Sequence, residues 1–326
     1  DGRPDLVTTN SSGNNVSLLR NQSVSGTISY AADLSLTAGT TPRSVAIGDF
    51  DGDGRPDIAA PNAQSPGGLS LFRNLSVSGT LSFSLGIATP VNGSSGAWSV
   101  AAGDFNKDGK PDLVVLGYFS SSLSILQNTS FTGSISLSSI FNLSRPNSNN
   151  GNPEQVVVAD LDNDGRLDLI STSRSGNSIS VYRNISTIGG SISFSAGQTR
   201  SVGTNPTSLG IGDVDGNGKV DLLVTNFGES TISVVMNNSV SGSITFTSTT
   251  TYPTSPGTNP YSLAVGDMNS DGHADIAVAN DATEVSLYRN ILLISPVITS
   301  LSPASGPIST TVTITGQNFN ATANQN

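Results

Sequence analysis

One nine-residue pattern, D-x-[DN]-x-[DN]-G-x-x-D, constrains this chain more than any other feature. It occurs as "DFDGDGRPD" (49–57), "DFNKDGKPD" (104–112), "DLDNDGRLD" (160–168), "DVDGNGKVD" (213–221) and "DMNSDGHAD" (267–275), and "DGRPD" (1–5) reads as the tail of a sixth copy. The fifth positions, Asp1, Asp53, Asp108, Asp164, Asn217 and Asp271, are separated by 52, 55, 56, 53 and 54 residues. A period of this size marks an array of supersecondary units that bury their faces against one another, with propellers and solenoids as the leading architectures.

The same short runs return around each copy. An apolar run leads into the loop ("SVAIGDF", "WSVAAGDF", "QVVVADL", "TSLGIGDV", "YSLAVGDM") and a second leaves it ("PDIAAPN", "PDLVVLG", "LDLISTS", "VDLLVTN", "ADIAVAN"). A third follows a Gly, Ser or Asn turn ("GLSLFRN", "SLSILQN", "SISVYRN", "TISVVMN", "EVSLYRN"), and most units add a fourth ("GTLSFS", "GSISLS", "GSISFS", "GSITFT"). No long segment carries the apolar period near 3.6 that a helix needs, and glycine is abundant at 35 residues. The reading is all-β, a β-propeller of four-stranded blades. A solenoid would have shorter rungs, and a sandwich has no need of so even a period. The first unit shows only the strands after its loop, so six units are visible and a seventh blade is expected upstream. The propeller is assigned to residues 1–294. Residues 295–326 break the pattern, carry two strand-like runs around a Pro and Gly turn, and read as the beginning of a second β-domain.

The loop chemistry is that of a hard cation. Calcium takes six to eight oxygens, and alternate positions of a tight loop can wrap one ion. Positions 1, 3, 5 and 9 supply Asp49, Asp51, Asp53 and Asp57 in the first complete loop and Asp104, Asn106, Asp108 and Asp112 in the second. The third offers Asp160, Asp162, Asp164 and Asp168, the fourth Asp213, Asp215, Asn217 and Asp221, and the fifth Asp267, Asn269, Asp271 and Asp275. The partial copy keeps Asp1 and Asp5. Position 7 is chemically mixed (Arg55, Lys110, Arg166, Lys219, His273), as expected where only a backbone carbonyl is used. The helix–loop–helix calcium site needs a bidentate Glu at position 12, where this chain has Ala60, Val115, Ser171, Val224 and Val278. Position 9 is therefore expected to close the site. About five complete calcium sites and one partial site follow, set against the alternative of solvated acidic turns.

Charge supports the cation. Of 24 acidic residues, 19 lie in these motifs, and five divalent ions would bring the formal net charge from −10 to about zero. Four carboxylates in one small loop repel each other unless a cation or a proton intervenes. Binding there ties one strand to the next, so the expected ion is structural.

Taken together, "SVAIGDFDGDGRPDIAAPN", "GLSLFRN" and "SGTLSF" resemble the FG-GAP repeat in its VCBS-like variant, found in integrin α-subunit propellers and many secreted bacterial proteins. The resemblance spans residues 1 to about 290. It implies a seven-bladed propeller with one calcium ion in each loop-bearing blade. "PVITSLSPASGPISTTVTITGQNF" resembles the start of an IPT/TIG immunoglobulin-like domain.

Several function classes are disfavoured. The negative charge opposes nucleic-acid and anionic-membrane binding, and no apolar run reaches the ~18 residues of a spanning helix. Cysteine is absent, which removes thiol nucleophiles and Cys-based zinc sites. The single histidine, His273, sits in a loop, and the acids outside the motifs (Asp33, Glu154, Glu229, Asp281, Glu284) form no recognised motif, so the expectation is a protein that is not an enzyme. The main expectation is an extracellular, secreted or cell-surface module for adhesion or for binding a glycan or a surface protein. Residues 91–98 and 144–155 are candidate contact loops, and Trp98 is either a sugar platform or a packing residue. The alternative is a rigid unit of a surface fibre or filament, joined to further domains of a longer chain or to copies of itself. Asn21, Asn74, Asn128, Asn184 and Asn237 head N-x-[ST] acceptor sequences, which read either as glycosylation sites or as part of a strand-end turn.

Overall fold

The computed structural model describes residues 2–64, 67–77, 80–91, 96–118, 120, 122–146, 154–254, 258–281, 284–291, 297–307 and 309–317. Every regular element is a strand, and the strands form seven small antiparallel sheets. Six of these are successive blades in a propeller arrangement. Four blades have four strands, and the first and the last have three. In the third blade, Ala97–Gly103, Asp112–Gly117, Ser122–Asn128 and Leu137–Ser144 lie side by side in chain order. The seventh sheet pairs Val297–Ser302 with Thr313–Gln317.

The unbroken apolar runs have a direct physical reason. The second strands Asp57–Asn62, Asp112–Gly117, Asp168–Ser173 and Asp221–Asn226 are buried at every residue, because a neighbouring blade covers each face. The outer strand Leu137–Ser144 instead alternates between half-buried and exposed residues. The apolar core is accordingly divided among the junctions. Leu69 and Leu71 of the second blade meet Leu113, Val115 and Leu126 of the third. Leu116 and Ile125 meet Leu169 and Tyr182 of the fourth, whose Ile179 and Val181 meet Leu222 and Val224 of the fifth.

The segments that lead into the fourth strands add a plug to each of these junctions. Leu81 and Phe83, Ile135 and Leu137, Ile192 and Phe194, and Ile244 and Phe246 pack against the cores they share with the preceding blade. Among the described residues the sixth blade has no such plug, and its junction with the fifth holds a cavity of about 500 Å3 lined by Ile232, Val234, Tyr252, Ile276 and Tyr288. The far face of the sixth blade is also uncovered. Val285 is 66% and Leu287 70% exposed, whereas their counterparts in the fourth blade, Ile179 and Val181, are 0% and 3% exposed.

One polar device joins the blades. Asp168, the ninth residue of its loop, accepts the Leu161 N–H through Oδ2 (2.9 Å) and the Asn184 N–H through Oδ1 (2.8 Å). The Asn184 Nδ2 donates to the carbonyls of Leu167 (3.0 Å) and of Phe105 in the preceding blade (2.9 Å), and its Oδ1 accepts the Ser186 N–H (2.9 Å). Asn128 reaches Phe50 O, Asn237 reaches Leu161 O and Asn290 reaches Val214 O in the same way.

These asparagines include the candidate glycosylation sites, and the structure favours the turn reading. The Nδ2 atoms of Asn21, Asn74, Asn128, Asn184 and Asn237 all donate to backbone carbonyls, and Asn184 is fully buried. A glycan leaves Nδ2 a single N–H, so Asn128, Asn184 and Asn237, which each donate to two carbonyls, would lose a bond. The serine of the sequence has its own role in the turn, its Oγ accepting an N–H from across it, as Ser76 takes the Ser82 N–H and Ser239 the Thr245 N–H (3.0 Å each).

Replacing Asn184 by Ala strands two carbonyls and one N–H at a buried junction. At about 1–3 kcal/mol per orphaned group, urea unfolding in saturating calcium should show a loss of about 3–5 kcal/mol. Intact mass of the chain expressed through a glycosylating secretory pathway should show no glycan on Asn128, Asn184 or Asn237.

Candidate metal centres

Each repeated motif is the hairpin between the first two strands of a blade. Gly48 pairs with Asp57, Gly103 with Asp112, Ala159 with Asp168, Gly212 with Asp221 and Gly266 with Asp275, so the residues between them loop out. A small residue precedes the loop where blades approach closely: a Cβ on Gly103 would lie 2.6 Å from Leu167 Cδ1 of the next blade. The glycine at position 6 has a left-handed backbone in all five loops, with φ of 85° at Gly54, 87° at Gly109, 81° at Gly165, 80° at Gly218 and 86° at Gly272.

The loop is organised by its own carboxylates. Asp160 accepts the Asp164 N–H through Oδ1 (3.1 Å) and the Gly165 N–H through Oδ2 (2.7 Å). Asp49, Asp104, Asp213 and Asp267 do the same in their loops. The residue at position 5 turns one oxygen onto the N–H of position 7, seen at Arg55, Lys110, Arg166, Lys219 and His273. These bonds point the side chains of positions 1, 3 and 5 toward the inside of the turn.

Carboxylate oxygens of Asp49, Asp51 and Asp53 lie within 4.8 Å of one another, as do those of Asp160, Asp162 and Asp168, and those of Asp213, Asp215 and Asp221. The loops at 104 and 267 carry Asn106 and Asn269 at position 3, so a trio there would include an amide oxygen. Such oxygen-only donor sets fit a hard divalent cation such as calcium. Position 9 has a second duty, since Asp57, Asp112, Asp168, Asp221 and Asp275 each accept backbone N–H groups from both the loop and the Asn of the third strand. Position 7 side chains turn elsewhere: Lys110 Nζ donates to Ser130 O (2.8 Å), and Arg166 pairs with Asp164 (3.1 Å). In the partial copy, Asp5 accepts the Asn21 N–H (2.7 Å), whereas Asp1 lies outside the described residues.

One functional element was missed by motif reading. The residue before the junction asparagine is Arg73, Gln127, Arg183, Met236 or Arg289. Arg183 bridges Asp162 through Nε (2.6 Å) and Asp164 through Nη2 (2.6 Å), and Arg73 bridges Asp51 and Asp53. Arg289 pairs with Asp271 (3.2 Å). Both loops with four aspartates thus face an arginine, while Gln127 and Met236 face loops in which an Asn replaces one Asp. The recurrent "RN" dipeptide was the available signal, and its alternation with "QN" and "MN" only acquires meaning once the loop and strand are seen side by side.

Burial dominates the titration of position 9. It pushes Asp168 up to about 7 and Asp112 up to about 6, against the pull of their N–H donors, and it raises Asp57 and Asp221 too. A carboxylate with a raised pKa binds more protons folded than unfolded, so its stabilising contribution is present at acid pH and is lost as pH rises through the folded value. In EDTA, the melting temperature should therefore fall between about pH 4 and pH 8. In saturating calcium the trend should reverse, because protons then compete with the ion. Arg183→Met, which copies Met236, should tighten calcium binding at its own loop several-fold in a lanthanide-luminescence titration and lower the melting temperature in EDTA.

The FG-GAP-like repeat family matches residues 1–60, 62–115, 108–171, 160–224 and 213–278, and the IPT/TIG domain family matches residues 296–326. None of the curated proteins matches the sequence. Among solved structures, a protein from Lactobacillus plantarum is 15% identical with a TM-score of 0.54, over 85% of this chain and 78% of that one. A periplasmic gluconolactonase from Pseudomonas aeruginosa is 14% identical with a TM-score of 0.55, over 84% of this chain and 72% of that one. At such identities the likeness shows the fold alone. The second match nevertheless corrects the expectation that this chain is not an enzyme: a similar propeller carries a catalytic site, so neither this fold nor the lack of a familiar motif excludes catalysis. With five matched repeats covering most of its length, and six blades built around the motif that defines them, the chain belongs to the FG-GAP-like repeat family.

Proposed function

We propose that this chain is a calcium-clamped propeller that displays a ligand-binding face in an extracellular or cell-surface protein. The observation that carries the reading is the convergence of aspartate oxygens in loops that also staple one blade to the next. The ligands would be the side chains of positions 1, 3, 5 and 9 and the carbonyls of Arg55, Lys110, Arg166, Lys219 and His273. A bound ion would supply the counter-charge these crowded carboxylates need, and this chain's own loops would orient the donors and hold the junction.

Location follows from affinity. Extracellular modules work at about 0.1–1 mM calcium, and shallow, partly exposed loops with Asn in place of Asp suit that range. Among the described residues, no helix is long and apolar enough to cross a membrane. A calcium titration by calorimetry should therefore find about five ions per chain with dissociation constants of about 0.1–1 mM. Absence of saturable binding would remove the calcium reading, and nanomolar binding would remove the extracellular one.

A second reading has its own observation. The uncovered face with Val285 and Leu287 is suited to meeting another blade, as expected of a unit in a fibre or filament. Sedimentation velocity should then show concentration-dependent association that Leu287→Lys abolishes; a strictly monomeric chain would sink this second reading.

A further inference from the structure

One pair of positions near the start of each blade divides into a constant and a variable member. Five and six residues before each calcium loop, the first strands of the blades begin around a cavity of about 320 Å3 that also touches Thr9 and Ser11 of the first blade. The inner of these two positions is nearly constant, being Ser44, Ser99, Gln155, Ser208 and Ser262. It is structural: Ser99 Oγ accepts the Val156 N–H (3.2 Å), Gln155 Oε1 the Leu209 N–H (2.7 Å) and Ser208 Oγ the Leu263 N–H (3.4 Å), each from the following blade. The outer position differs in every blade, as Arg43, Trp98, Glu154, Thr207 and Tyr261. Where an array repeats its framework and varies one ring of side chains around a shared cavity, the variation is what a specific ligand would read.

Hydrogen-bond accounting gives the ligand's chemistry. Acceptors at the mouth are already engaged: Glu154 takes Arg174 Nη1 on Oε1 (2.8 Å) and Trp98 Nε1 on Oε2 (3.2 Å). Gln155 Oε1 takes both the Leu209 N–H and the Ser208 hydroxyl (3.0 Å). Donors are left over. Gln155 Nε2 is thereby fixed as a donor and has no partner among the described residues, and the same holds for the guanidinium of Arg43. Arg43 lies 4.5 Å from the centre of the Trp98 ring, which also stacks on Tyr118 at 4.2 Å. Of the two readings of Trp98, these contacts favour packing, with the ring holding the arginine.

The open aromatic surface belongs to Tyr261, which touches Phe227 edge to face with centroids 6.3 Å apart. Arg43 and Glu154 are the charged residues of the lining, and Glu154 is already paired with Arg174 outside it, which leaves the Arg43 guanidinium as the charge a ligand would meet. A planar guanidinium matches a carboxylate with two parallel hydrogen bonds, and an exposed tyrosine ring matches the apolar face of a pyranose. The volume is at the small end of the range for small-molecule sites, about 300–1,000 Å3.

We propose that this axial mouth binds a carboxylate-bearing sugar, with Arg43 taking the carboxylate, Gln155 Nε2 donating to a ring or hydroxyl oxygen, and Tyr261 lying against the pyranose face. The site deepens the ligand-display reading above and rests on it. It lies six residues along an extended strand from the calcium loops, about 20 Å, so the two can be tested apart.

The test is calorimetric titration of the full chain in saturating calcium with D-glucuronate, D-galacturonate and N-acetylneuraminate, with D-glucose and D-galactose as neutral controls. At least one acid should bind, about tenfold or more tighter than either neutral sugar. Arg43→Met should weaken that binding by about tenfold or more, Arg43→Lys should restore only part of it, and Tyr261→Ala should weaken acid and neutral sugar alike. Both side chains are exposed, so melting in calcium should match the parent chain. Absence of saturable binding of all three acids at millimolar concentration, or an Arg43→Met variant that binds like the parent, would overturn the proposal. Calcium binding measured on the same samples reports separately on the calcium reading.

Discussion

The architecture turns on one buried carboxylate in each of the five blades with a complete loop. Asp168 and its counterparts Asp57, Asp112, Asp221 and Asp275 sit buried at the exit of the loop, and their two oxygens are committed in opposite directions, as in Asp168, one to the loop's first N–H and one to the Asn that follows the third strand. A charge in such a place needs compensation from donors, a proton or a cation. The junction asparagine converts that local bond into a blade-to-blade one, because its amide reaches the preceding loop's backbone. The aspartate loop, the strand-end turn and the apolar junction are therefore coupled: a bound ion would order the loop, the loop places the aspartate, and the aspartate places the asparagine.

This coupling explains how differently charged loops can share one geometry. Where four aspartates crowd a loop, Arg73 or Arg183 bridges positions 3 and 5, and where an asparagine has removed one charge, Gln127 or Met236 is tolerated. The fifth complete loop combines Asn269 with Arg289 at the longer distance of 3.2 Å, and it belongs to the blade whose far face is uncovered. The sixth blade shows the contrast: among the described residues no plug fills its junction with the fifth, which is hollow, and its Val285 and Leu287 are exposed.

Much of the fold was legible because the repeat is a geometric instruction. The period predicted the blades, the first three runs predicted their first three strands, and D-x-[DN]-x-[DN]-G predicted a hairpin with a left-handed glycine; the fourth runs at 79–84 and 190–195 instead fall before the fourth strands Ile87–Thr89 and Gln198–Ser201. Other features depend on distance in space. Asn184 looked like a turn residue or a glycan acceptor, and nothing local reveals that its amide ends on Phe105 O, 79 positions away. Trp98 looked like an isolated tryptophan until Tyr118 and Arg43 were seen against its ring. Glu154, one of five acids with no motif, acquires a role only beside Arg174 and the indole N–H. The axial mouth was invisible for the same reason, since each blade contributes a single variable residue to it.

The central claim is that calcium in these loops holds the blades together, and thermal unfolding tests it most directly. Followed by circular dichroism at neutral pH, the chain in saturating calcium should melt as one cooperative unit, and an excess of EDTA should lower the midpoint by well over ten degrees, as removal of several bound ions requires. A midpoint unchanged between calcium and EDTA would contradict the account and leave the aspartate loops as hydrogen-bonded turns alone.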